Sequence, residues 1–322
     1  MHTVMQRRNA STDGTALCPA EINRIAIGHA LVDNCSASQA CAAIVRHAKA
    51  HGKPAYVTTA NAQHVVLLDR DPRFRMIYSQ ADLIVPDGMS LLLAARLYRR
   101  SLQQRVTGVD MFRALCGLAA EEGLHVFLLG GRPGSADLAA AMLKNQYPTL
   151  RLTTYCPPMG FDKSAAGLKQ TADAVRDAKP DLLFVALGAP KQEYWIYEHG
   201  LELSVPVSMG VGGTFELVAG LLPRAPQWMQ NLGCEWVHRL VLEPRRMWRR
   251  YLIGNLEFAA IVGRQCVRRA FLDAFFALVD RGSFAAEVHE VELRRKFESA
   301  SRLIDATVED LSEPHRSDAF AS

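Results

Sequence analysis

The chain has 322 residues, of which 49% are hydrophobic, and a net charge of +4. This is enough for one large α/β domain with extensions, or for two small domains, and enough apolar material for a substantial core. Such mild basicity argues against a nucleic-acid-binding protein. The seven cysteines are odd in number, scattered and without a Cys-x-x-Cys pair, which argues against a disulfide framework or a zinc ribbon and for reduced, mostly buried thiols.

In chain order, residues 1–20 are polar without apolar periodicity and are expected to be a disordered N-terminus. Arg7 and Arg8 are followed by polar residues rather than an apolar run, so no secretory signal is expected. No stretch reaches the ~18 uninterrupted apolar residues of a membrane span. The best tail segment, AFLDAFFALV, is short and carries Asp273. The expectation is a cytoplasmic protein.

Residues 21–222 read as one catalytic α/β domain. Apolar strand-like runs (AYVTTAN, DLIVPDG, HVFLLGG, LRLTTY, DLLFVALG, VPVSMGVGG) alternate with amphipathic helical stretches, among them 38–52, 62–81, 111–123 and 169–179. This alternation predicts a Rossmann-like, mainly parallel sheet flanked by helices. Residues 223–270 read as short basic helices forming an appendage, and 271–322 as a charged helical tail with a frayed end.

In such sheets ligands bind at the carboxyl ends of the strands. The first such end, Thr58-Thr59-Ala60-Asn61, offers a hydroxyl and a carboxamide to a sugar, although Asn61 equally suits a helix N-cap. The second, Asp87-Gly88, is either a common turn or a carboxylate placed to act as a base. Gly130, Gly131 and Gly134 straddle a strand-to-helix turn where backbone amides can approach a diphosphate. Their spacing is neither G-x-G-x-x-G nor a P-loop, which removes the dinucleotide oxidoreductase and NTPase readings. After the fourth strand come Gly188, Pro190, Lys191 and Gln192, with Lys191 available to a phosphate and Gln192 to a sugar hydroxyl. After the fifth, Gly212 and Gly213 allow close backbone approach to a ligand or form a turn into a helix.

The ordered set TTANAQH, ADLIVPDGMS, RVTGVDM, VFLLGG, DLLFVALGAPKQEYW, MGVGGTFELVAG and RAPQWMQNLGCEWVHRLVLEPRRMWRRY, over about residues 55–255, resembles the WecG/TagA/CpsF family of bacterial glycosyl transferases. The resemblance implies an inverting enzyme. It would move N-acetylmannosamine, glucose or mannosaminuronic acid from a UDP-sugar to a polyprenyl-diphosphate-linked saccharide in cell-surface or exopolysaccharide synthesis. It implies Asp87 as general base, with Thr59, Asn61, Arg105 and Gln192 in the sugar pocket, and no metal or other cofactor. Lys191 and arginines of the appendage would then stabilise the leaving diphosphate. The opposing reading is a non-catalytic nucleotide-sugar sensor or scaffold, which Asp87 would not serve.

The appendage carries nine arginines against three glutamates, and three of the four tryptophans. Arginine with tryptophan suits the inner leaflet of the cytoplasmic membrane. At roughly 1 kcal/mol per basic residue, before screening, the surplus supports peripheral attachment rather than insertion. Arg224, Arg239, Arg245, Arg246 and Arg249 are the expected membrane or lid residues. The competing reading is a basic helix packed on its own domain. The tail is expected either to cap this lid or to meet other polysaccharide-assembly enzymes.

Overall fold

The computed structural model describes residue 17 and residues 23–200 and 202–281. Apart from residue 17, the expected disordered N-terminus lies outside the described residues up to residue 20, as does the charged tail beyond residue 281. Of the described residues, those up to 268 belong to one compact unit and those from 269 to 281 to a second.

The chain opens with a hairpin, β1 (Arg24–Ile27) and β2 (Ala30–Asp33), turned at Gly28 with φ +57°. Helix α1 (Ala37–Lys49) starts at a reciprocal cap between Ser36 and Gln39. Then come β3 (Ala55–Ala60), α2 (Ala62–Arg70), α3 (Pro72–Ser79), β4 (Leu83–Pro86), α4 (Met89–Leu97) and α5 (Gly108–Glu122). They are followed by β5 (His125–Gly130), α6 (Ser135–Gln146), β6 (Arg151–Tyr155), α7 (Ala165–Ala178) and β7 (Leu182–Ala186). Short helix α8 (Lys191–Trp195) runs into a π-helical turn, and β8 (Val207–Gly210) leads to α9 (Thr214–Val218).

Strands β3 to β8 make one parallel sheet in the order β4-β3-β8-β7-β5-β6. Every residue of β3, β4, β7 and β8 is buried. Side chains alternate between two cores. On one face Ile44 of α1, Phe112 and Leu115 of α5 and Leu143 of α6 share a core with Val57, Leu128 and Phe184. On the other, Phe74 and Tyr78 of α3 and Leu91 of α4 share one with Tyr56, Phe127 and Val185. The three-layer α/β fold is the one the strand and helix alternation predicts.

The stretch 62–81, expected as one helix, is two. Pro72 has no amide hydrogen and disfavours helical backbone at Asp71, which sits at φ −117°, ψ 103° and caps α3 instead. The β1–β2 hairpin and α4 were not expected. Four-residue strands are too short for alternation to stand out, and α4 carries apolar residues all round.

After α9 come α10 (Gln227–Asn231), α11 (Glu235–Leu242) and α12 (Pro244–Trp248), short helices as expected, and then α13 (Gly254–Arg281). Helix α13 runs through residue 270, where the sequence suggested a boundary. Its first half packs on the domain. Phe258, Ile261 and Val262 enter the second core, and Gln265 takes the Gly28 amide (2.7 Å) and gives a hydrogen bond to the Ala26 carbonyl (3.2 Å).

The hairpin is tied to the sheet by Asp33. This fully buried carboxylate takes hydrogen bonds from Arg24 Nε (2.8 Å) and from the Ile84 amide of β4 (2.7 Å). Asp33→Ala strands the guanidinium and an amide, and is expected to cost about 3 kcal/mol. Thermal melts should show the loss, while turnover per folded molecule stays at the wild-type value.

Candidate active site

The chain goes from β3 outward to β4, then crosses to the far side of the sheet and returns through β7 to β8, beside β3. That change of direction makes the carboxyl ends of β3, β4 and β8 a topological switch point, the place where open α/β sheets hold their ligands in a crevice. The residues picked from separate strand ends meet there. The Asp87 amide bonds the Ala60 carbonyl (2.8 Å), and a Cβ placed on Gly88 would lie 3.6 Å from Asn61 Cα and Cβ. A Cβ on Gly108, at the start of α5, would lie 3.6 and 3.7 Å from the Thr59 methyl and hydroxyl and 4.0 Å from Thr214 Oγ1. The Gly108 amide also lies near enough to the Asp87 carboxylate to favour its charged form. Thr59, Asn61, Asp87 and Thr214 therefore surround the first turn of a 15-residue helix, whose dipole favours a negative charge at that end.

Arg105 braces this corner from the loop before α5. Its Nε donates to the Asp87 carbonyl (2.8 Å), Nη1 to the Gln230 carbonyl (3.2 Å), and Nη2 pairs with Glu235. One planar fork thus holds the β4 end and helices α10 and α11 together, which a lysine cannot reproduce. Beside it, Arg224 is bidentate to Asp110 (2.6 and 2.8 Å), and Asp110 is held by the Thr107 cap of α5.

Asp87 is only partly open to solvent, and its pKa is raised from 3.8 to about 6. Burial is the largest cause. Arg105 opposes it, Glu235 adds to it, and His64 and the Gly108 amide oppose it. Such a carboxyl is ionised at neutral pH yet a stronger proton acceptor than an ordinary aspartate.

Asn61 caps α2 by accepting the His64 amide (3.2 Å), the helix-cap reading of its two, and lies beside Gly88. Gln192 is buried. Its Oε1 accepts the Gly212 amide (3.0 Å) and its Nε2 donates to Glu193 (2.8 Å), which makes it a strut beneath the β8 turn. Lys191, the neighbouring residue, points the other way and pairs on the surface with Asp162 (2.8 Å).

The glycines fall into two groups. A Cβ on Gly130 would come within 3.0 Å of the Ala186 carbonyl, and one on Gly131 within 2.4 Å of Ser135 Oγ, so these two serve close packing at the β5 end. A Cβ on Gly134, Gly188 or Gly212 would meet nothing within 4 Å. Their turns have φ of +78°, +76° and +55° and leave open space above the backbone. A Cβ on Gly213 would lie 2.7 Å from Arg239 Nη2, so α11 lays this arginine over the β8 turn. Arg246 pairs with Glu243 (3.2 Å), while Arg245 and Arg249 have no ion pair among the described residues.

The sequence holds one Asp-x-Asp triplet, Asp69-Arg70-Asp71, a pattern able to hold a divalent ion. Its carboxylates have structural partners. Asp69 pairs with Arg264 of α13 (2.9 Å), and Asp71 caps α3 and accepts the Tyr194 hydroxyl. Among the described residues no three His, Cys, Asp or Glu side chains come together as metal ligands.

Sequence reasoning gave no role of its own to Gly108, Thr214, His64, Glu193 or Glu235. Each lies inside one of the motifs quoted above, so the motif was visible but the role of the individual side chain was not.

A sequence model of the glycosyl transferase WecG/TagA/CpsF family matches residues 25–271. An N-acetylglucosaminyldiphosphoundecaprenol N-acetyl-β-D-mannosaminyltransferase of Bacillus subtilis (strain 168) is 32% identical over 198 residues, 62% of this chain and 75% of its own. A protein of the same name from Staphylococcus aureus (strain NCTC 8325) is 28% identical over 215 residues, 67% of this chain and 83% of its own.

A carboxyl whose folded pKa is raised favours folding while protonated, and that contribution is lost as pH rises through about 6. At neutral pH the charged Asp87 is therefore a burden on the fold. Asp87→Asn is expected to raise stability at pH 7.5 by ~1–3 kcal/mol, and to raise it little at pH 4.5. Denaturant melts at the two pH values check this.

Proposed function

The chain belongs to the WecG/TagA/CpsF family of glycosyl transferases, and from that premise we propose that it moves a hexose-type sugar from a UDP-sugar to a polyprenyl-diphosphate-linked saccharide with inversion. N-acetylmannosamine is the first donor to consider, and an N-acetylglucosaminyl-diphospho-polyprenol the first acceptor, because these are what the similar proteins are named for. The observation that carries the reading is Asp87, a carboxylate in the crevice with its pKa brought to about 6.

The acceptor hydroxyl oxygen attacks the anomeric carbon opposite the diphosphate. Asp87 takes its proton as the new bond forms, a contribution typically worth 10²–10⁴-fold in rate. The bond from the anomeric carbon to the diphosphate breaks, and its electron pair leaves with the diphosphate. Arg239 over the β8 turn, beside the open space above Gly188 and Gly212, is suited to receive that charge. The reaction is proposed to be independent of metal, with arginine side chains supplying the positive charge.

A lipid-linked acceptor calls for a membrane contact. Among the described residues no helix is long and apolar enough to cross a bilayer. The C-terminal helices instead expose large apolar side chains beside unpaired arginines: Trp228 is 62% exposed and Leu256 73%, with Leu232, Val241, Trp248 and Leu252 also in solvent. This composition favours peripheral attachment to an anionic leaflet. Not every arginine contributes, since Arg224 and Arg264 are paired on the domain itself.

Purified protein with a panel of UDP-sugars and a polyprenyl-diphosphate-linked acceptor should release UDP from one donor, only when acceptor is present. EDTA should leave the rate unchanged, and Asp87→Asn should lower kcat by about 10²–10⁴. Tight donor binding with no turnover on any acceptor would instead support a nucleotide-sugar sensor.

A further inference from the structure

We propose that His64 and Glu193 form a buried positioning pair for the transfer, in which Glu193 fixes the Gln192 strut under the β8 turn and His64 faces Asp87. The proposal rests on the reading of Asp87 as the base. Neither side chain needs to touch substrate.

The geometry is a chain of contacts across the layer between the sheet and helices α2 and α8. Glu193 is 0% exposed and His64 and Gln192 are each 3% exposed. Glu193 Oε1 accepts a hydrogen bond from Gln192 Nε2 at 2.8 Å and lies 3.4 Å from His64 Nε2, within ion-pair distance but without hydrogen-bond geometry. Gln192 Oε1 then accepts the Gly212 amide at 3.0 Å. A Cβ on Gly210 would come within 2.6 Å of Gln192 Nε2, an approach that the glycine permits. With the Gln192 Nε2 end committed to Glu193, it is the Oε1 end of the carboxamide that faces the Gly212 amide. Asn61 in turn holds the first turn of α2 through the His64 amide.

A carboxylate and an imidazole in an apolar layer are costly, and apolar residues of similar volume would serve stability as well or better. His64 is flanked by Phe74 in a stacked arrangement with ring centroids 6.1 Å apart, and by Tyr78 at 5.7 Å. Glu193 Oε2 and both ring nitrogens of His64 have no hydrogen-bond partner among the described residues. Packing alone does not account for this pair, and its two ends lead to two parts of the same crevice.

Asp87 is faced by His64 from α2, Tyr78 from α3, Arg105 and the Gly108 amide at the start of α5, Glu235 from α11, and Arg224 and Arg250 from the C-terminal segment. His64 is faced by Glu193 and Asp87. Glu193 is faced in addition by Tyr56 and Tyr78. His64 is among the groups that hold the Asp87 pKa down, so its replacement by a neutral side chain moves Asp87 protonation to higher pH.

The test is steady-state kinetics of the full chain across the acid limb, with donor and acceptor varied separately. His64→Gln should shift the acid limb of kcat/KM upward by about half a pH unit with donor KM little changed. Glu193→Gln can no longer dictate the Gln192 orientation and should raise donor KM by about tenfold, with a smaller effect on kcat. Glu193→Asp should recover part of that loss. Donor KM and acid limb at wild-type values in both His64→Gln and Glu193→Gln, with only the melting temperature lowered, would overturn the pair. If His64→Gln does not fold, the donor KM of Glu193→Gln decides alone. Asp87→Asn separates the two readings. Full activity there removes the base, whereas an inactive Asp87→Asn beside unshifted pair variants removes only the pair.

Discussion

A carboxylate held where β4 ends, against the first amide of α5, is the constraint around which the rest of the molecule is arranged. Asp87 cannot leave that position, because its own amide is bonded to Ala60 of β3 and its carbonyl to Arg105. The following loop is pinned as well, through the Val106 amide on the Pro86 carbonyl at 2.7 Å. A parallel sheet buried on both faces supplies the rigid backbone on which such a group can be kept in an unfavourable setting. The cost is borne by the two apolar cores. The same placement that taxes the fold gives a carboxylate able to accept a proton near neutrality.

The C-terminal segment has two faces with different work. Arg105, Glu235, Arg224 and Asp110 lock α10 and α11 to the rim of the crevice, and Arg239 reaches over the β8 turn. Exposed tryptophan and leucine lie on the same helices. An element that closes over the site and also presents apolar and basic groups outward suits an enzyme whose donor is soluble and whose acceptor is anchored in lipid. The charge surplus of this segment, read as a single basic patch, conceals that several of its arginines are already neutralised by acids of the catalytic domain.

The α/β class and the strand ends were legible because continuous apolar runs ending in Gly, Asn or Asp can do little else in a chain of this size. Thr59, Asn61 and Asp87 were legible for the same reason, and the sheet order brings them together. Gln192 and Lys191 show the limit. Adjacent in sequence and equally polar, they were read alike, yet the start of α8 turns one into the core and the other to solvent. The Gly130–Gly131 pair was read for phosphate binding, but its lack of side chains is required by the close approach of Ala186 and Ser135. His64 and Glu193 gave no signal of their own, since their partnership joins residues 129 positions apart across the layer between α2 and α8. Periodicity reports which face of an element is apolar. It does not report which polar residue on that face finds a partner.

The account depends on the ionisation of one side chain in the folded protein, and that can be observed directly. In protein labelled with ¹³C at aspartate carboxyl carbons, the resonance absent from Asp87→Asn identifies Asp87, and its shift is followed with pH. The account predicts a midpoint near 6. A midpoint at about 4, the value of a solvated aspartate, would contradict it, because the crevice would then hold an ordinary surface carboxylate rather than a tuned base.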